Sequence, residues 1–213
     1  MVHIPKEHYS LEQVVENCII IADQIIASYE ELGSHEINIL YIKNGGSLPG
    51  EFIGHILAKK GYKINLYDPH YWRYNENGEG EEIRVKKDLT NIQKEQIAAS
   101  VNNGNLTIIL DELADKGDTL KYARDSVMTY KSVEEEMFNN YVFTGVICRK
   151  PVFAALPDYS PLKKSLKFCA VPNAPDKWLT FPWEKESIHY DKSIAKIVYK
   201  TPERLREFVK TLA

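Results

Sequence analysis

The chain has 213 residues, 44% hydrophobic and 27% charged, enough for one domain with a sizeable core and too few for two full domains. A formal net charge of −3 and a pI near 6.1 argue against overall attraction to nucleic acid or to an anionic membrane, so any phosphate site has to be local. Cys18, Cys148 and Cys169 are odd in number and lack C-x-x-C spacing, and "MVHIPKEHYSLEQ" has no basic-then-apolar leader, so the expectation is a soluble cytoplasmic chain without disulfides, a zinc cage or a membrane span.

Ser10 with Gln13 makes a capping-box start, and apolar residues recur at helical spacing from Leu11 to Tyr29, predicting a helix that ends by Gly33. "INILYI" (37–42) then reads as a strand, "KNGGS" as a glycine turn, and "PGEFIGHILAKKG" as a helix that Gly61 can end. A further strand, "YKINLY" (62–67), precedes a polar stretch from Asp68 to Glu82, read as a long loop of the kind that is often functional. "NIQKEQIAASV" is helical, 106–110 is a strand, about 118–130 is a helix, and "YVFTGVIC" (141–148) is a strand. This alternation predicts an α/β fold with a mainly parallel sheet covered on both faces.

From Lys150 the pattern breaks into short, proline-punctuated pieces, ending in a helix opened by Pro202 with Leu205, Phe208, Val209 and Leu212 on one face. There is no internal repeat.

The stretch "LTIILDELADKGDTL" (106–120) carries the most chemistry. In an open parallel sheet the ligand lies beyond the carboxyl ends of the strands, where Asp111 and Glu112 are expected. Two carboxylates there can accept hydrogen bonds from a vicinal diol or hold a hard cation. The following Gly117, Asp118 and Thr119 lead into a helix whose first amides lack internal partners, which suits a phosphate. A diol site beside a phosphate site has the shape of a ribose 5-phosphate. The plainer alternative is a strand end with Asp118 or Thr119 as an ordinary cap.

Competing motifs fail. "GGSLPGEF" has P-loop glycine spacing but Glu51-Phe52 where Lys-Ser/Thr is required, and "NGEGEE" lacks the strand-to-helix setting of a dinucleotide fingerprint. The six histidines form no close ligand pair, so a histidine metal site is not expected. The Gly45-Gly46 turn exposes amides that could approach a pyrophosphate, although such a turn alone is usually only a turn.

Taken in order, "INILYIKNGGSLPGEFIGHILA", "LTIILDELADKGDTL", "CRKP" and "DKWLTFPWE" resemble the type I phosphoribosyltransferases, most nearly the xanthine–guanine and related 6-oxopurine branch, from about Ile37 to Glu184. The resemblance implies one domain over 1–213, with a core of about 37–150 and a small hood plus C-terminal extension from about 1–36 and 151–213. It implies phosphoribosyl pyrophosphate and a 6-oxopurine as substrates, magnesium (Mg2+) as cofactor, and a homodimer or higher homo-oligomer. By the same resemblance Asp111 and Glu112 address the ribose hydroxyls and the metal. Ala114, Asp115, Lys116, Gly117, Asp118 and Thr119 wrap the 5-phosphate, and Lys43, Asn44, Gly45 and Gly46 contact pyrophosphate. About His70 to Val85 forms a mobile lid, with Arg84, Lys86 or Lys87 bringing charge to the leaving group. Lys150 donates to the purine 6-oxo group, Trp178 stacks on the base with the Leu179 backbone at its edge, and Asp115 is the catalytic carboxylate.

Read without the neighbouring motifs, Lys150 is a solvated lysine and Trp178 a core aromatic. Asn44 stands where the purine branch often has a basic residue, Glu112 where it has a second aspartate, and Lys116 where it has threonine. The rival readings are a binding or regulatory protein of the same fold, an enzyme of the same class acting on another base, and a magnesium-dependent phosphohydrolase built on Asp111 and Glu112.

Overall fold

The computed structural model describes residues 5–30, 36–74, 80–128, 133–158, 160–199 and 202–212. In chain order the elements are β1 (Lys6–His8), α1 (Leu11–Glu30), β2 (Glu36–Tyr41), α2 (Ser47–Lys59), β3 (Lys63–Tyr67), β4 (His70–Tyr74), β5 (Gly80–Lys87), α3 (Asn91–Asn102) and β6 (Leu106–Ala114). They continue as α4 (Asp118–Met128), α5 (Glu135–Tyr141), β7 (Val142–Arg149), α6 (Pro151–Ala154), α7 (Pro161–Ser165), β8 (Leu166–Val171), β9 (Trp178–Thr180), α8 (Lys192–Val198) and α9 (Pro202–Leu212).

Five strands form one parallel sheet in the order β3-β2-β6-β7-β8. Side chains alternate across it as strand geometry requires. Ile37, Ile39 and Tyr41 enter one core with α1, α2 and α9, whereas Leu40 and Ile42 enter a second core with α3, α4 and α5. The parallel α/β class expected from the alternation of elements is what the chain adopts.

Local chemistry explains the element ends. Ser10 and Gln13 exchange the two capping-box hydrogen bonds (2.9 and 3.2 Å) at the head of α1. Gly61, at φ +95°, takes the left-handed conformation that stops α2. Thr90 and Gln93 form a second capping box on α3.

Three expectations are corrected, and one helix without a sequence reading is added. The strand read as 106–110 runs on to Ala114, because β7 is long enough to offer Val146, Cys148 and Arg149 as partners for Asp111, Leu113 and Ala114. The pair Asp111–Glu112 is therefore part of the strand and not beyond it. The stretch read as a polar loop is an antiparallel ribbon, β4 with β5, anchored by the buried Tyr71 ring. Its tip, 75–79, lies outside the described residues. Residues 135–141 are helical, with the fully buried Phe138 as anchor. Leu166–Val171, grouped with the hood from sequence, is the edge strand of the core sheet, and α1 packs on that sheet too. The ends expected for α1 and α4, at 33 and 130, also lie outside the described residues.

The hood is small. β1 pairs in parallel with β9, Glu7 opposite Leu179, and behind them Tyr9, Phe181 and Trp183 stack in series at centroid spacings of 5.4 and 5.3 Å.

Candidate active site

Between β2 and β6 the strand order reverses. From β2 the chain runs through α2 to β3 on one side, and from β6 it runs through α4 to β7 on the other. Loops that part in this way leave a crevice at the carboxyl ends of the two strands. A cavity of about 230 Å3 lies there, bounded by Lys43, Asn44 and Gly45 on one side and by Asp111, Glu112 and the 115–119 loop on the other. The two sequence segments singled out for phosphate chemistry are thus the two walls of one cavity.

Each wall has a steric reason for its residues. Asn44 sits at φ +84°, a conformation that Asn tolerates better than most side chains, and its Nδ2 is 3.2 Å from His70 Nε2. The asparagine found at this position suits the backbone conformation it adopts. A Cβ at residue 45 would lie 1.6 Å from Glu112 Oε2, so glycine leaves that carboxylate the space it occupies against the turn. Gly46 is the N-cap of α2, just behind the lining.

Across the cavity, Ala114 is buried beneath the loop and accepts a hydrogen bond from the Lys150 amide (3.0 Å). Gly117, at φ +82°, packs so tightly on Phe153 and Leu162 that a Cβ would approach them to 2.6 and 2.7 Å. That packing holds the first turn of α4, with its unpaired amides, toward the cavity.

The carboxylates are strongly perturbed. Burial raises the Asp111 carboxyl, and burial together with the charge and hydrogen bond of Asp111 pushes Glu112 well above the ordinary range. Glu112 Oε2 is buried without a hydrogen-bond partner. In such a pair two negative charges side by side are disfavoured, and a bound cation would relieve that repulsion. Glu184, from the segment after β9, feels the same charge: burial first, then Glu112, raises it to about 7.

The residues expected on the base side are placed unevenly. Lys150 is 8% exposed and its Nζ lies 3.8 Å from Asp115 Oδ2, so it is not a solvated lysine. Trp178 is 42% exposed, so it is not a core aromatic, and Leu179 is buried in the hood. Neither of them lines the cavity, whose link to the hood side runs through Asp115 and Lys150. Of the basic residues on β5, Lys87 forms an ion pair with Asp68.

Sequence reasoning missed Tyr71 and Leu120, which also line the cavity, and Glu184. Tyr71 donates its hydroxyl to Asp88 and packs edge-on against Tyr122 at 5.0 Å. The aromatic residues Tyr71, Trp72 and Tyr74 close together were the available signal of a strand, masked by the glycines and charges that follow.

A five-stranded parallel sheet with a cavity at its switch point, walled by a glycine turn and a carboxylate-rich strand end, and a small hood beyond, is the type I phosphoribosyltransferase fold. A xanthine–guanine–hypoxanthine phosphoribosyltransferase from Helicobacter pylori superposes with a TM-score of 0.54 at 14% identity, over 85% of this chain and 96% of that one. The hypoxanthine phosphoribosyltransferase of Trypanosoma cruzi, in a ternary substrates complex, gives 0.54 at 15% identity over 78% and 79%. Within that class the chain is similar in sequence to 6-oxopurine enzymes. Xanthine phosphoribosyltransferase 1 of Saccharomyces cerevisiae is 27% identical over 172 residues, covering 74% of this chain and 81% of that protein. The hypoxanthine-guanine phosphoribosyltransferase of the same yeast is 27% identical over 212 residues, covering 89% and 90%. No family model matches the chain.

Proposed function

We propose that the chain is a purine phosphoribosyltransferase, moving the 5-phosphoribosyl group from phosphoribosyl pyrophosphate to guanine, xanthine or hypoxanthine in purine salvage. The observation that carries this reading is Asp115 on the cavity wall, 3.8 Å from the buried, donor-only Lys150. A protein that merely held a sugar phosphate would have no use for a buried cation poised beside a proton acceptor.

The reaction joins a purine ring nitrogen to the anomeric carbon while the bond from that carbon to pyrophosphate breaks, and the nitrogen's proton has to leave. Asp115 receives it. The amides at 117–119 and the Thr119 hydroxyl hold the 5-phosphate, with Lys116 and Asp118 at its margin. The turn from Lys43 to Gly46 presents amides and one ammonium to pyrophosphate. Asp111 and Glu112 accept from the ribose hydroxyls. Lys150 donates to the 6-oxo group, the exposed face of Trp178 stacks on the purine, and the Leu179 backbone meets its edge. The β4–β5 ribbon covers the site and keeps water, the competing nucleophile, from the electron-poor carbon.

Magnesium fits this set of donors. Glu112 offers a buried carboxylate oxygen without a partner, next to Asp111. Among the described residues no group of three or more His, Cys, Asp or Glu side chains is placed to hold a metal, so water and substrate oxygens would have to complete the shell of an ion held by these two carboxylates. Bound there, magnesium supplies neutralisation of the departing pyrophosphate's charge.

Among the described residues no helix is long and apolar enough to cross a membrane. We place the protein in the cytoplasm, as a homodimer or larger homo-oligomer, without nucleic-acid or membrane partners. Light scattering on the purified protein tests the assembly.

The activity test is nucleotide formation from phosphoribosyl pyrophosphate, magnesium and each of guanine, xanthine, hypoxanthine and adenine. Turnover of a 6-oxopurine, lost in Asp115→Asn, supports the reading. Binding of phosphoribosyl pyrophosphate without turnover of any base replaces it with a regulatory protein of the same fold.

A further inference from the structure

Beside the 115–119 loop, sharing Lys116 and Asp118 with the strand-end cavity, lies a second cavity of about 710 Å3. Its floor holds Arg124 of α4, only 7% exposed. The Arg124 guanidinium lies over the Phe138 ring at 4.4 Å and gives one long hydrogen bond, 3.3 Å, to Asn139 Oδ1, while its Nε is buried with no partner. Burial lowers its pKa and the charge of Asp125, itself paired with Lys121, partly offsets that. An arginine stays charged under these conditions, and a buried guanidinium whose Nε–H has no partner is costly.

The surroundings point to what supplies the partner. Lys116, Lys121 and Lys164 stand around the same cavity with Arg124, against Asp118, Asp125 and Glu135, and the Lys121–Asp125 pair (2.7 Å) is neutral by itself. Leu156, Leu162 and Met128 give the rest of the wall an apolar character. We propose that this cavity binds a phosphate-bearing small molecule with an apolar or aromatic body, its phosphate on the free edge of Arg124 and on Lys164. A guanidinium stacked by one face on an aromatic ring leaves its N–H edge free for such an oxyanion. The volume accommodates a ligand of nucleotide size. Lys116 and Asp118 line both cavities, so an occupant here bears directly on the phosphate loop.

The test is equilibrium dialysis of labelled inorganic phosphate against the full-length protein, alone and with excess nucleoside 5′-monophosphate. The wild type is expected to show a phosphate site that Arg124→Met abolishes and that Lys164→Glu, a change at an exposed position, weakens by roughly tenfold or more through charge reversal. Competition by the monophosphate for the phosphate that Arg124→Met no longer binds assigns the site to an organic phosphate. Competition by inorganic phosphate alone assigns it to the free ion and overturns the nucleotide-sized occupant. If phosphate binding is the same in wild type, Arg124→Met and Lys164→Glu, the site does not exist and Arg124 is a structural residue. Should Arg124→Met fail to fold, the Lys164→Glu result decides. None of these readouts uses turnover, so the outcome stands apart from that of the transferase assay.

Discussion

The carboxylate of Glu112 occupies the space that a side chain at residue 45 would need: a Cβ there would be 1.6 Å from Oε2 and 1.9 Å from Cδ. Gly45→Ala must therefore move either the glycine turn or the carboxylate. A displacement of about 1 Å in reacting groups can lower rate by about 100-fold. Nucleotide formation should fall by that order while thermal unfolding changes little. A Gly45→Ala enzyme with unaltered KM for phosphoribosyl pyrophosphate and unaltered kcat would show that Glu112 has no part in binding it.

Asp115→Asn keeps shape and removes the proton acceptor. General-base loss typically lowers rate by about 10²- to 10⁴-fold. The expected pattern is a fall in kcat with KM for phosphoribosyl pyrophosphate nearly constant, read from initial rates. If KM rises and kcat holds, the residue binds substrate and the base must be sought elsewhere.

Glu184 gives a pH signature. Burial and the neighbouring Glu112 raise its folded-state value to about 7, above that of an unfolded glutamate. A raised carboxyl favours the folded state fully below its unfolded pKa and loses that contribution as pH rises through the folded one. Wild-type stability should accordingly decline between the ordinary glutamate range and about pH 7, and Glu184→Gln should flatten that decline. Parallel stability curves for the two proteins, from denaturant melts across this window, would refute it.

Arg206 on α9 reaches back to α2, where its Nε lies 3.2 and 3.1 Å from the two oxygens of Glu51, a side chain 1% exposed that also accepts from Tyr41 (2.9 Å). Arg206 itself is half exposed. Arg206→Met leaves Glu51 buried with Tyr41 as its donor and should destabilise the fold by about 1–3 kcal/mol at neutral pH. Burial already raises Glu51, and loss of the cation raises it further. The sign follows: the deficit of the variant is small below the unfolded glutamate pKa, where Glu51 is protonated in both states, and grows as pH rises. Melts at acid and alkaline pH that show the same deficit would sink this account.

Four strands of the sheet and helices α1 to α4 were legible because each rests on a local code. A capping box marks the start of α1, glycine marks the end of α2, and β-branched runs mark β2 and β6. What could not be read depended on partners distant in sequence. The extension of β6 to Ala114 needs β7 alongside, and β8 becomes a strand because β7 offers it an edge. As isolated residues Lys150 reads as solvated and Trp178 as core, yet Lys150 is buried against Asp115 and Trp178 is 42% exposed. Glu51, which sequence reading used only to reject a P-loop, is explained by an arginine 155 residues away. Asn44 stood out as a departure from the family pattern, and its φ of +84°, legible only in the structure, is one that suits an asparagine.

The parallel pairing of Lys6–His8 with Trp178–Thr180 has a consequence for biosynthesis. A chain emerging from the ribosome at roughly 5–20 residues per second folds its early parts first. The glycine turn, the carboxylate strand and the 115–119 loop, with the β7, Phe153 and Leu162 that hold them, are all synthesised by Leu162, whereas β1 waits for Trp178–Thr180 and Glu51 waits longer still for Arg206. The sugar-phosphate half of the site thus comes into being before the half that faces the base. A nascent chain stalled ahead of residue 178 would carry the former with its N-terminal strand still unpaired.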